Sequence, residues 1–157
     1  MLRAVYITGS WCFLKNARDI DVVYVYDTKE EAKEALKNSK KDHRYCEHWE
    51  GLDEMPRIYL GCYIYPFRKL IRGEDLHFEQ YSIFDFKEEY LALLKKYAEW
   101  LPKENKWWYH ILTACYMFEN GSYELTEKQL EAIQRAHDKG ITDAKYNYCL
   151  KQLGVVS

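Results

Sequence analysis

Apolar positions follow two regimes along the chain. Up to residue 85 they come in short runs rich in β-branched and aromatic residues, and from Phe86 onward they recur every three or four positions. In the first regime, Ala4 to Thr8 and Ile20 to Tyr26 read as buried strands, with room between them for a turn and one short helix. "DTKEEAKEALKNS" then opens a short, charged helix, in which Thr28 is the N-cap and Glu31, three residues on, completes a capping box. "HRYCEHWE", "PRIYLGCYIYPF" and "DLHFEQYSIF" read as three further strands, separated by "GLDEMP" and "RKLIRGE" as connections.

The second regime predicts helices. In "FKEEYLALLKKYAEW", Tyr90, Leu91, Leu94, Tyr97, Ala98 and Leu101 form one stripe, and Pro102 ends it. "NKWWYHILTACYMFENGS" gives a second helix ending near Gly121. A third runs from the cap Thr126, boxed by Gln129, to Gly140 as an αL stop, and a fourth from Thr142 to Gly154. The expectation is an α+β fold: a small mixed β-sheet over residues 1–85, then a C-terminal lobe of about four helices over 86–157, together one compact unit.

Composition narrows the function classes. At 157 residues, 48% hydrophobic and with 15 tyrosines, the chain fills one domain core and is not a disordered segment. A net charge of -2 argues against coating nucleic acid by bulk charge, so any polyanion site must be local. The amino terminus lacks the apolar stretch of a signal peptide and no run approaches membrane-spanning length, so a cytoplasmic protein with no membrane contact is expected. The cysteines at 12, 46, 62, 115 and 149 form no C-x-x-C pair and fit reduced, buried thiols.

Candidate chemistry concentrates in "ITGSWCFLKNARDIDVVYV". Strand alternation sends Asp19 and Asp21 to one side and Ile20 to the other, so two carboxylates share a site. A hard divalent cation such as Mg²⁺ is a natural counter-charge for such a pair, completed by phosphate oxygens. Upstream, Gly9 allows a sharp turn and Ser10 would begin the short helix, where free backbone N–H groups and a hydroxyl can hold a phosphate. Lys15 and Arg18 add positive charge nearby.

Strand, Gly-Ser, spacer and Asp-x-Asp opening a second strand resemble the signature of the DNA polymerase β-type nucleotidyltransferase superfamily. The resemblance covers about the first quarter of the chain and, more loosely, the strand that follows. It implies a mixed sheet of nucleotidyltransferase type, a nucleoside triphosphate (NTP) substrate such as ATP, and two Mg²⁺ ions. By that likeness Gly9 and Ser10 contact the triphosphate, with Lys15 and Arg18 beside them, and Asp19 and Asp21 hold the metals. A third carboxylate, both metal ligand and general base, belongs on the next strand; Glu47 is the candidate, with His48, Asp42 or Glu79 as alternatives. The spacer "WCFLKNAR" is short for that superfamily and lacks its frequent small and acidic residues.

The implied reaction is Mg²⁺-dependent transfer of a nucleoside monophosphate from an NTP to a tRNA end, a protein hydroxyl or a small molecule. The alternative is a catalytically inactive protein of the same fold, of phage or toxin–antitoxin type, that binds a host protein or nucleic acid. Other clusters read more plainly. His43, Cys46 and His48 match no zinc-finger spacing. Trp107 and Trp108 lie about 100° apart on a helix, so one faces the core while the other can line a base-stacking groove with Lys103 and Lys106. Arg68, Lys69 and Arg72 fall in a presumed solvated connection.

Overall fold

A computed structural model describes residues 1–17, 19–40, 44–54, 68–76 and 83–156. The chain divides into two compact units, Met1–Ile83 and Phe84–Ser157. Strands come first and helices after, as an α+β fold.

In the first unit, β1 (Leu2–Thr8) runs into a single 3-10 turn, Gly9–Cys12, and β2 (Ile20–Tyr26) returns antiparallel to it. Asn16, at φ 60°, helps the spacer back toward β2, since Asn tolerates the left-handed region. Helix α1 (Lys29–Asn38) crosses over to β3 (Tyr45–Gly51), which lies parallel to β2. The α1 cap is the one expected, with Glu31 N–H donating to Thr28 Oγ1 at 3.2 Å. A fourth strand, β4 (Arg68–Gly73), pairs antiparallel with β1, so the sheet order is β3-β2-β1-β4. "RKLIRGE" is therefore strand and not connection: β1 offers it a row of backbone partners, which outweighs its charge. The expected strands at 56–67 and in most of 75–84 lie outside the described residues.

Cross-strand register sorts the sheet into two faces. One carries Ala4, Tyr6 and Thr8 opposite Val25, Val23 and Asp21, with Cys46, His48 and Glu50 beyond them on β3. The other carries Val5 and Ile7 opposite Tyr24 and Val22, then Trp49 and Glu47. Tyr24 and Trp49 stack there, ring centroids 5.0 Å apart. The centre of the first face is buried, with Tyr6, Val23 and Val25 each 0% exposed, while Asp21, Cys46 and His48 at its end are partly open.

Tyr6 is the polar anchor of that face. Its hydroxyl donates to Asp75 Oδ1 at 2.8 Å and accepts from Leu76 N–H at 2.7 Å, fixing the chain beyond β4 to the centre of β1. Tyr6→Phe is expected to cost about 1–3 kcal/mol, because it leaves the buried Leu76 N–H without its partner; urea unfolding checks this. Burial is the main cause that pushes the Tyr6 hydroxyl up to about 12. An unfolded tyrosine ionises near 10, so the unfolded chain loses its proton first. The contribution of this group is whole below about pH 10 and is lost as pH rises toward 12; the wild type should lose stability across that window more steeply than Tyr6→Phe.

The second unit holds α2 (Lys87–Trp100), α3 (Trp108–Asn120), α4 (Glu127–Lys139) and α5 (Asp143–Gln152). Of the expected α2 stripe, Tyr90, Leu94, Ala98 and the following Leu101 are buried. Gly121 closes α3 in the αL conformation, and the Thr126–Gln129 box forms with both of its bonds. Gly140 ends α4 at φ 90° and ψ 156°, a positive-φ extended conformation and not the αL stop expected. Trp108 is wholly buried, whereas Trp107 packs its ring on Tyr97 and His110. Lys103 is taken up in an ion pair with Asp143. Cys115 and Cys149 are buried side by side as thiols, and hydrogen bonding between them together with burial holds the Cys115 proton well beyond the usual thiol range.

Candidate functional site

The turn after β1 and the start of β2 meet because the two strands form an antiparallel pair, with Thr8 opposite Asp21. Gly9, at φ 75°, sits directly under the Asp21 carboxylate: a Cβ at Gly9 would lie 2.9 Å from Asp21 Oδ2. Glycine is required there by its backbone angle, and the tip of the Asp21 carboxylate lies close over it. The Gly-Ser pair and Asp21 are thus one piece of structure.

Around Asp21 the sheet supplies sulfur and nitrogen. Cys46 is its partner on β3, and His48, two residues on, brings Nε2 within 3.4 Å of Asp21 Oδ1. The Cys46 thiol is raised, first by burial and then by the negative charges of Asp21 and Asp19. Cys12, in the turn, donates to Ile7 O at 3.3 Å. Its thiol is also raised by burial, with Lys69 pulling it down and Asp21 pushing it up. Lys69, on β4, lies over the Trp11 ring, its Nζ 5.9 Å from the centroid. The Thr8 hydroxyl, on the Asp21 face and buried, has no hydrogen-bond partner among the described residues.

Two expectations need correction. Glu47 pairs with Val22 and stands on the Trp49 face, opposite to Asp21. The physical reason is register: strand alternation gives the Asp21 face to Cys46 and His48, and a one-residue slip would be needed to give it to Glu47. The Gly-Ser helix is one 3-10 turn of 4 residues with Ser10 buried, too short to sum the peptide dipoles of a true helix N-terminus. Lys15 is exposed on the spacer. Arg18, Asp42, His43 and Glu79 lie outside the described residues.

The donor set decides which cation fits. Asp19 and Asp21 offer hard oxygens, the kind of donor a Mg²⁺ ion takes, Asp19 exposed and Asp21 with 32% of its side chain exposed. The three carboxylates of a two-ion centre do not converge: among the described residues no group of three His, Cys, Asp or Glu side chains is arranged to hold a metal. The sequence missed Cys46 as a member of this neighbourhood; alternation of "HRYCEHWE" in the other phase would have pointed to the cysteine.

No helix among the described residues is long and apolar enough to cross a membrane. No protein-family model, curated protein or solved structure matches the chain.

Proposed function

We propose that the chain is an enzyme of nucleotidyltransferase type, moving a nucleoside monophosphate from an NTP to a hydroxyl acceptor at the Gly9–Asp21 junction. The observation that carries this reading is the Asp21 carboxylate seated on Gly9, since it brings the Gly-Ser turn after β1 against a carboxylate at the start of β2. Such transfers rest on positioning and charge neutralisation more than on covalent chemistry by the protein. In this reading Asp19 and Asp21 hold one Mg²⁺ that accompanies the triphosphate, and the ion supplies neutralisation of phosphate charge. Backbone N–H groups of the 3-10 turn position the phosphates, and the orphan Thr8 hydroxyl sits behind them. A two-ion mechanism with Glu47 as base is not part of the proposal, because Glu47 is on the other face.

Asp21→Ala is expected to lower labelling from an α-labelled NTP to less than about one hundredth of wild type, in line with the loss of a preorganised charge-stabilising group. Its circular dichroism should be unchanged. Wild-type labelling in the variant would overturn the assignment.

The Glu47 placement favours a second reading, a protein of this fold that binds a partner without chemistry. Calorimetry with Mg²⁺ and each NTP separates the two: a binding protein should show no metal-dependent nucleotide heat.

A further inference from the structure

Thr8 closes β1 at 1% exposure, and its Oγ1 has no hydrogen-bond partner among the described residues. Buried hydroxyls in folded proteins are nearly always satisfied, and a valine would fill the same space with no polar atom to satisfy. A threonine in this state points to a group that the chain does not itself supply.

Strand register says where the hydroxyl lies. Thr8 is the direct partner of Asp21, so the two side chains leave the sheet as neighbours on one face, with Cβ atoms about 5 Å apart. The carboxylate is bounded on two other sides: a Cβ at Gly9 would stand 2.9 Å from Oδ2, and His48 Nε2 lies 3.4 Å from Oδ1. Asp19, two residues earlier and exposed, brings a second negative charge. Arg68 flanks Thr8 from β4, but its guanidinium is turned back along β1, 5.9 Å from the Tyr6 ring centroid, and its Nε donates to Asp75 Oδ1 at 3.4 Å. Negative charge therefore dominates the Asp21 side of the hydroxyl.

A group that takes a hydroxyl and a carboxylate together is a bridging water or a hard cation. Size separates them. Thr8 Oγ1 is closed to water, whereas Mg²⁺ stands about 2.1 Å from an oxygen donor where a water oxygen needs about 2.8 Å. A threonine hydroxyl with an aspartate carboxylate is also a donor pair that Mg²⁺ uses in phosphoryl-transfer sites of other folds.

We infer that Thr8 Oγ1 is a direct oxygen donor to a divalent cation held by Asp21, and that this hydroxyl, not a third acid, completes the protein's share of a one-ion site. The identity of the ion rests on the nucleotidyltransferase reading; the donor pair rests on the register of β1 with β2.

Mn²⁺ titrated into the full chain without nucleotide, followed by electron paramagnetic resonance with Mg²⁺ as competitor, tests this. Wild type is expected to bind one Mn²⁺ that Mg²⁺ displaces. Thr8→Val should weaken binding about tenfold or more, Thr8→Ser should stay within about threefold of wild type, and Asp21→Asn should lose the site. Without metal, Thr8→Val should melt at or above the wild-type temperature, because it removes an unsatisfied buried hydroxyl. Added Mg²⁺ should raise the melting temperature of wild type and not that of Thr8→Val. No Mn²⁺ bound by wild type, wild-type affinity in Thr8→Val, equal loss in Thr8→Val and Thr8→Ser, or a lower metal-free melting temperature in Thr8→Val overturns the inference. Mn²⁺ binding that tracks Thr8 and Asp21 while wild type transfers no label from an α-labelled NTP overturns the enzyme reading and leaves the cation site standing. Labelling by wild type with unchanged Mn²⁺ affinity in Thr8→Val overturns the inference alone.

Discussion

Trp108→Ala is expected to destabilise the protein by about 3–5 kcal/mol, the range for removing a large aromatic from a closed core. Trp108 opens α3 at 0% exposure, the largest of the fully buried side chains. Its Nε1–H donates to Pro102 O at 2.9 Å, and its ring meets Tyr146 edge-on with centroids 4.7 Å apart. One side chain thus ties the loop after α2 and the α5 helix to the start of α3. Alanine leaves a cavity at that crossing and removes one of two donors to the Pro102 carbonyl, which keeps the Asn105 N–H, so the cavity is the larger cost. Chemical denaturation followed by far-UV circular dichroism should show a midpoint lower by about 2 M urea, given the usual urea dependence of small proteins. Trp108→Phe keeps most of the apolar volume and should recover more than half of the loss. Equal loss in both variants would mean that the indole N–H, not the volume, dominates.

The same residue shows what the amino-acid pattern reveals. Adjacent Trp107 and Trp108 cannot both face inward on a helix, and the helical phase of Ile111, Leu112 and Cys115 selects Trp108. Helix starts were equally legible, because Thr28, Thr126 and Thr142 each satisfy an N–H three residues on, a purely local event. β4 was not legible. "RKLIRG" has the composition of a solvated turn, and it becomes a strand only because β1 lies beside it, a non-local fact. The face of Glu47 was hidden for a related reason: alternation gives two faces but not which of them meets Asp21. That is decided by the register of β3 on β2, which the crossover through α1 sets.

The residue at the end of that crossover tests the register, and with it the composition of the site. Gly51 closes β3, where a Cβ would lie 2.3 Å from Lys29 N, 2.5 Å from Thr28 C and 2.6 Å from Asp53 Oδ1. Two of these are backbone atoms at the start of α1, held by Thr28 as N-cap and by the Lys29 N–H bond to Asp53 at 2.9 Å. Neither can turn aside as a side-chain tip could. Gly51→Ala must therefore move the end of β3 or the first turn of α1, and is expected to cost about 3 kcal/mol or more, at the upper end for overpacking. The displacement should travel along β3 to the pairs at its other end. His48, within 3.4 Å of Asp21, reports on this directly. In the variant its ring resonances should shift and lose their dependence on Asp21, as judged by comparing Gly51→Ala with and without Asp21→Asn. A variant with wild-type stability and an unchanged His48 signal would mean that β3 is not anchored at Gly51, and the argument that register excludes Glu47 from the Asp21 face would lose its structural basis.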